Sequence, residues 1–143
     1  MRRRSKAREC ALQLLYQGEI NHQDPIDSAE DYWSQIADQP RAEEISDEVR
    51  EFTRRIVTLV REHEKEIDEE IRRAAEHWKM ERMAVVDKNV LRIGVSEILY
   101  CDDIPDKVAI NEAIELAKKF GDADSSRFVN GVLDHIAKNH ESR

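Results

Sequence analysis

Apolar residues recur every three or four positions along most of the chain, which is the spacing of one face of an α-helix. Glycine and proline are few, and no segment alternates apolar and polar residues for long enough to predict a β-strand. The pattern therefore predicts an all-α protein with about seven helices. It also predicts one domain made of two packed helical subdomains, residues 1–78 and 79–143.

The first predicted helix runs from about Arg3 to Glu19, and a short helix containing Tyr32 and Trp33 follows a turn. The exposed face of the first helix is predicted to carry Arg4, Arg8 and Tyr16. Its buried face is predicted to contain small and aliphatic residues: Ala7, Cys10, Ala11, Leu14, Leu15 and Gly18.

A long apolar stripe extends from Val49 to Trp78 and predicts either one helix or two, with an interruption near the polar residue His63. The next helix, from about Val86 to Tyr100, is apolar over most of its circumference. Its polar strip is narrow and consists of Asn89, Arg92 and Ser96. We therefore expect this helix to be the central and most buried element, with the chain packed around it.

Two further helices are predicted after the break at Ile104 and Pro105. The first carries Phe120 on its apolar face and ends at Gly121. Asp122 or Asp124 can then cap the last helix, whose apolar face includes Phe128.

The formal charge of −8, from 31 acidic and 23 basic side chains, argues by itself against a nucleic-acid partner. The distribution of charge changes that interpretation, because the first eight residues are strongly basic and contain no acid. We expect weak binding to one RNA site, since an acidic body limits nonspecific attraction to phosphate and makes a helper protein useful.

Several classes of function are not expected. The sequence lacks the phosphate-binding, dinucleotide-binding, metalloprotease and nucleophile-elbow motifs, so neither an enzyme nor a cofactor is predicted. The pair His63 and Glu66 supplies too few ligands for a metal site. No apolar run suits a membrane span or an export signal, and Cys10 and Cys101 have no partner spacing. We therefore expect a cytoplasmic protein with two reduced, packed thiols.

The basic start is the first candidate surface for RNA. Guanidinium groups bind phosphates and stack on unpaired bases. Arg4 and Arg8 are one helical turn apart, and Tyr16 lies two turns further on the same predicted face. The alternative is a solvated terminal segment without a partner. The candidate residues are Arg2, Arg3, Arg4, Lys6, Arg8 and Tyr16.

Two more candidate surfaces lie in the second half of the chain. The turn between the last two helices could attract phosphate, but spacing alone favours an ordinary helix cap, formed by Asp122 or Asp124, beside core phenylalanines. Its candidate residues are Lys119, Phe120, Gly121, Asp124, Ser125 and Phe128. On the central helix, Asp87, Lys88 and Arg92 could bind a protein partner or form an intramolecular ion pair.

Three segments carry a family resemblance: RRRSKARECALQLLYQ, VVDKNVLRIGVSEILY and KVAINEAIELAKKFGDADSSRFVNGVLD. In order and spacing they resemble the NusB family of bacterial transcription antitermination factors. The resemblance implies a NusB-like helical bundle and a non-catalytic adaptor that binds boxA RNA of ribosomal RNA operons together with NusE, a small-subunit ribosomal protein. It also implies a role in assembling the antitermination complex on RNA polymerase.

The resemblance assigns the basic first helix and the FG-x-x-DS turn to RNA, and the region of Asp87 to NusE. Two alternatives remain. A similar domain occurs in certain ribosomal RNA cytosine methyltransferases, but no methyl-donor fold is present here. The other alternative is a protein-interaction module with an unstructured basic tail. Family members also differ in whether they form a homodimer, which could cover the basic face.

Overall fold

A computed structural model describes residues 2–40 and 42–141, and within these ranges the regular structure is entirely helical. The predicted all-α class is confirmed. Seven α-helices and two short 3₁₀-helices, Ala42–Glu44 and Met80–Arg82, follow one another in the described ranges. The α-helices are α1 (Arg3–Asn21), α2 (Ala29–Ala37), α3 (Asp47–Glu62), α4 (Glu64–Ala74), α5 (Val85–Tyr100), α6 (Asp106–Phe120) and α7 (Ser125–Glu141).

The chain divides into two compact units, Met1–Thr58 and Leu59–Arg143. The first unit contains α1, α2 and most of α3, and the second contains α4 to α7. The sequence pattern placed the division after residue 78 instead. The difference arises because α4 packs against α5 and α7, so it belongs with the C-terminal helices.

The long apolar stripe forms two helices, which decides between the two predicted alternatives. α3 ends at Glu62 and α4 begins at Glu64, with His63 between them at φ −114° and ψ 21°. The His63 ring stacks on Tyr100 with centroids 3.9 Å apart. The stripe does not continue to Trp78, because α4 ends at Ala74 and the Trp78 side chain is 65% exposed. The expectation that Trp78 lies on a buried face is therefore wrong.

In the first unit, the apolar face of α1 is buried as predicted. The Thr53 hydroxyl of α3 lies within hydrogen-bond distance of the Ala7 carbonyl oxygen in α1 (3.2 Å) and of the Val49 carbonyl oxygen in its own helix (2.7 Å). Tyr32 of α2 donates a hydrogen bond from its hydroxyl to the side-chain oxygen of Gln13. These polar contacts connect α1 to α2 and α3.

In the second unit, α5 packs against α4, α6 and α7, as predicted for a central helix. Its buried side chains include Val90, Leu91 and Ile93. A Cβ atom at Gly94 would lie 2.6 Å from the Cδ1 atom of Leu133, so the glycine permits close approach of α5 and α7. These helices position the turn between α6 and α7.

Both cysteines are buried and free, as expected for packed thiols. Burial raises the pKa of the Cys10 thiol, which disfavours the reactive thiolate. In the part of the chain that the structure describes, no group of three or more histidine, cysteine, aspartate or glutamate residues could hold a metal ion. No described helix is long and apolar enough to cross a membrane.

Candidate functional site

Three arginines surround one phenylalanine in the first unit. The Cζ atoms of Arg4, Arg8 and Arg55 lie 4.6, 5.2 and 5.7 Å from the centroid of the Phe52 ring. These distances fall within cation–π range. Phe52 is only 6% exposed, so its ring serves mainly as a surface on which the guanidinium groups rest. We call Arg4, Arg8, Phe52 and Arg55 the Phe52 cluster.

Arg8 does not lie on an exposed face, so that prediction is wrong. Its exposed fraction is only 3%, and α1 directs it toward Phe52 of α3. Arg4, one turn earlier, is exposed while it also rests on the ring. The same helix face thus holds one buried and one accessible guanidinium group.

A surface cleft of about 310 Å³ opens beside the cluster. It is lined by Arg3, Arg4, Arg55 and Phe52 together with two acids, Glu48 and Glu51. The Nη1 atom of Arg3 lies 2.7 Å from Oε1 of Glu48, but both side chains are about two-thirds exposed. Because exposed ion pairs contribute little to stability, Arg3 can exchange this partner for another anion.

Three acidic side chains lie close to basic residues of the first eight positions. Counting charges within those eight positions did not predict these contacts, because the acids come from later in the chain. Glu48 belongs to α3, and Glu44 of the first 3₁₀-helix lies 3.8 Å from the Lys6 amino group. Glu9 lies 4.0 Å from the same amino group. The positive charge is therefore partly compensated within the first unit.

Sequence reasoning missed Arg55, although its position offered a signal. Arg55 follows Phe52 by three residues in α3, which places both side chains on one helix face.

Two other candidate residues lie outside the Phe52 cluster. Arg2 is exposed just before α1. Tyr16 is 40% exposed, but the rise of an α-helix places it about 12 Å beyond Arg8. Tyr16 is thus an accessible ring outside the Phe52 cluster.

The turn between α6 and α7 is held by a compact cap. The backbone N–H of Asp122 donates to the Ser125 hydroxyl oxygen at 3.0 Å, and that hydroxyl donates back to Oδ1 of Asp122 at 3.2 Å. The N–H of Asp124 also donates to Oδ1 of Asp122 at 3.0 Å. Ser125 is 1% exposed and takes part in this cap, whereas the predicted capping residue was Asp122 or Asp124; of these, Asp122 contributes through its Oδ1 atom.

Glycine is required at position 121 because neighbouring atoms leave no room for a Cβ atom. A Cβ atom there would lie 2.6 Å from the Cβ atom of Ser125 and 2.8 Å from the carbonyl oxygen of Ala117. Of the candidate residues at this turn, Lys119 and Asp124 are exposed. Gly121 and Ser125 therefore shape the turn, while the charged side chains beside them face solvent.

The two phenylalanines of the turn are half-buried, so neither lies fully in the core. The Lys119 amino group lies 5.5 Å from the centroid of the Phe120 ring. Phe128 makes an edge contact with Trp78, with centroids 5.9 Å apart and an interplanar angle of 71°. Sequence reasoning missed Trp78 as a surface residue, because its position continues the spacing of the apolar stripe.

On α5, Arg92 forms an intramolecular ion pair. Its Nε and Nη2 atoms donate to the two carboxylate oxygens of Asp68 at 2.9 and 3.1 Å, and Nη1 donates to Oδ1 of Asn89 at 3.1 Å. The Arg92 and Asp68 side chains are only 11% and 12% exposed. The geometry supports the intramolecular alternative for Arg92. Lys88 is half-buried and also has an interaction within the protein.

Asp87 differs from its neighbours. It lies in the first turn of α5, where the helix dipole favours a negative charge. Among the described residues, its Oδ1 atom is buried and has no hydrogen-bond partner. Buried acceptors are normally satisfied, so this oxygen is an exception among the described residues.

Comparison with known proteins gives a consistent result. The family model described as the NusB family matches residues 5–138. A protein named "Transcription antitermination protein NusB" from Myxococcus xanthus is 44% identical over 134 residues, covering 94% of each chain. The protein of the same name from Symbiobacterium thermophilum is 43% identical over 136 residues, covering 94% of this chain and 89% of that one.

Two solved structures are also similar. T. maritima NusB superimposes with a TM-score of 0.83 at 37% identity, covering 96% of this chain and 92% of that chain. A chain from a crystal structure of antitermination factors NusB and NusE in complex with dsRNA has a TM-score of 0.81 at 27% identity, covering 97% of this chain and 98% of that chain. The family match, the sequence relatives and the shared fold agree, and this chain belongs to the NusB family.

Proposed function

We propose that this chain is a non-catalytic transcription antitermination factor that binds RNA together with NusE. The arginine-lined cleft beside Phe52 carries the proposal, because it gathers accessible guanidinium groups from two helices. Two findings support it: the relatives are named as antitermination proteins, and a NusB structure of the same fold contains NusE and RNA.

The cleft suits a phosphate backbone. Arg3, Arg4 and Arg55 can each donate charge-assisted hydrogen bonds to phosphate oxygens. Glu48 and Glu51 line the same cleft and oppose the approach of phosphate. With a net charge of −8 over the chain, these acids predict weak binding by this protein alone and a need for a second RNA-contacting protein.

The turn between α6 and α7 supplies a second contact to RNA in this proposal. Lys119 would bind phosphate, while Phe120 and Phe128 offer half-exposed rings for bases. Asp124 can accept hydrogen bonds from base amino groups. Gly121 and Ser125 contribute by fixing the shape of the turn rather than by exposure.

Asp87 is the proposed contact to NusE. Asp87 is half-buried, and its negative charge suits a basic ribosomal protein. Arg92 acts less directly, because its ion pair with Asp68 connects α4 to α5, the helix that carries Asp87. Lys88 lies beside Asp87 on the same turn of α5 and completes this proposed partner surface.

The family resemblance supports a more specific assignment. The proposed RNA is the single-stranded boxA segment of ribosomal RNA operons, and the proposed assembly includes RNA polymerase in the cytoplasm. A homodimer that covered the Phe52 cluster would compete with RNA by mass action. The oligomeric state would then regulate access to the arginines.

Fluorescence anisotropy of a labelled boxA-like RNA tests the proposal. The RNA is titrated with this protein, with and without NusE from the same organism, at two salt concentrations. We expect salt-sensitive binding that strengthens when NusE is present. Binding to NusE without any gain in RNA affinity would reject the RNA-binding role and favour a plain protein-interaction module.

A further inference from the structure

We infer that Trp78, together with Phe128, forms an aromatic platform on which an unpaired base of the bound RNA stacks. This inference rests on the proposed function and assigns a contact to a residue that the family resemblance did not single out. Two observations carry it. The Trp78 side chain is 65% exposed, and its ring makes an edge contact with the Phe128 ring, with centroids 5.9 Å apart.

The backbone that carries the exposed indole is fixed on both sides of Trp78. The N–H of Trp78 donates to the carbonyl oxygen of Ala75 at 2.9 Å, just after α4 ends. Two residues later Met80, which is 3% exposed, anchors the second 3₁₀-helix in the core. The fixed backbone and the edge contact with Phe128 reduce the conformational freedom that Trp78 loses when a base stacks on it.

The ring geometry leaves room for a base. An interplanar angle of 71° makes the contact with Phe128 an edge contact, so the two rings do not cover each other face to face. With 65% of the side chain accessible, an indole face can accept a nucleobase. Every base has a π-face, so such stacking tolerates different RNA sequences.

Basic side chains are exposed on both segments that carry the two rings. Lys79 and Arg82 are exposed on the segment that follows Trp78, and Arg127 is exposed next to Phe128. Glu76, Glu81 and Asp124 are also exposed on these segments, and Asp122 is engaged in the cap of α7. The three basic side chains are the proposed contacts to phosphates that flank the stacked base.

The protein's two tryptophans make a direct test possible. In a Trp33→Phe variant, Trp78 is the only tryptophan of this chain, so tryptophan fluorescence reports on Trp78 alone. We expect its emission to be quenched when single-stranded boxA-like RNA is added. We also expect Trp78→Ala to weaken RNA binding about fivefold or more, and Trp78→Phe to retain most of the affinity. Because Trp78 is exposed, these variants should fold, which circular dichroism verifies.

Val108→Ala is the matched control, since Val108 is a 44% exposed apolar residue of the same unit, and its RNA affinity should not change. Unchanged RNA affinity in Trp78→Ala would overturn the inference and leave the proposed function intact. If the unaltered chain binds no RNA with or without NusE, both the inference about Trp78 and the proposed function fail. If Trp78→Ala weakens binding to NusE in the absence of RNA, the ring belongs to a protein interface and the inference is wrong.

Discussion

The Phe52 cluster and the Trp78–Phe128 platform both combine aromatic rings with basic residues, but they use the rings in opposite ways. Phe52 is 6% exposed and three guanidinium groups rest on it, whereas Trp78 is 65% exposed and its contact with Phe128 is an edge contact. The first ring organises cations, and the second is itself available to a ligand. An aromatic residue near arginines therefore does not by itself identify a stacking site.

The difference predicts two kinds of RNA contact. Arginines on a buried ring act mainly through phosphate, and that contact weakens as salt rises. Stacking on an open indole depends little on ionic strength, because it involves neutral surfaces. Variants of the two regions should therefore separate in their salt dependence, even where they lower the affinity by similar factors.

The largest expected effect is that of Phe52→Ala. Truncating a buried phenylalanine costs about 3–5 kcal/mol of unfolding free energy. The same change removes the surface on which Arg4, Arg8 and Arg55 rest, so RNA affinity should fall as well. Urea unfolding measures the first effect and anisotropy the second.

Phe52→Leu is the control for this variant, because it keeps an apolar core residue but removes the π-face. It should recover most of the stability and less of the RNA affinity. If Phe52→Ala costs less than about 1 kcal/mol, Phe52 is not the buried support described here.

The second largest effect concerns the turn between α6 and α7. Gly121→Ala introduces a Cβ atom within 2.8 Å of the Ala117 carbonyl oxygen and 2.6 Å of the Ser125 Cβ atom. Such overpacking costs about 1–3 kcal/mol, and it should also disturb the cap that shapes the turn. Thermal unfolding measures the loss of stability.

Gly131→Ala is a matched control in the neighbouring helix α7, because a Cβ atom there meets nothing within 4 Å. Replacing this helical glycine should stabilise the protein by about 0.5–1 kcal/mol. Equal effects of the two substitutions would mean that the close contacts at Gly121 do not constrain the turn.

The third prediction separates the two regions by salt dependence. Arg4→Ala combined with Arg55→Ala should reduce the slope of log affinity against log salt by about one for each phosphate that the variant no longer binds. Trp78→Ala should lower the affinity with little change in that slope. Arg8 is left unchanged, because it is 3% exposed and its replacement would also affect folding.

Arg54→Ala serves as the control for Arg55→Ala. Arg54 is exposed and adjacent in α3, but it does not line the cleft beside Phe52. Its removal should change the slope less. If Arg54→Ala and Arg55→Ala reduce the slope equally, the effect reflects general charge and not this cleft.

Much of the fold follows from local patterns. The starts and ends of α1, α5 and α6 agree with periodicity and with the breaks beside them, and the polar residue His63 correctly indicated the interruption between α3 and α4. Periodicity assigns a face to each helix, because it depends only on spacing within that helix. It does not show which other helix covers that face.

The remaining features depend on contacts between distant residues. Nothing within α1 shows that Phe52 lies opposite Arg8, so an arginine expected in solvent is buried. Arg55 joins the cleft and Glu48 pairs with Arg3 for the same reason, since α3 lies beside α1 only in the fold. Trp78 continued the spacing of the apolar stripe, but α4 had already ended at Ala74.

The smallest expected effect tests whether acids limit the first region. Glu48→Gln removes the partner that lies 2.7 Å from Arg3, but both side chains are about two-thirds exposed. The unfolding free energy should therefore change by less than about 1 kcal/mol. RNA affinity should rise slightly at low salt, because Arg3 no longer has to leave a carboxylate to bind phosphate, and the gain should shrink as salt increases. Glu62→Gln, on an exposed residue at the other end of α3 that does not line the cleft, controls for net charge. An equal gain in both variants would show that the acidity of the whole protein, and not the pairing at the cleft, restrains its binding to RNA.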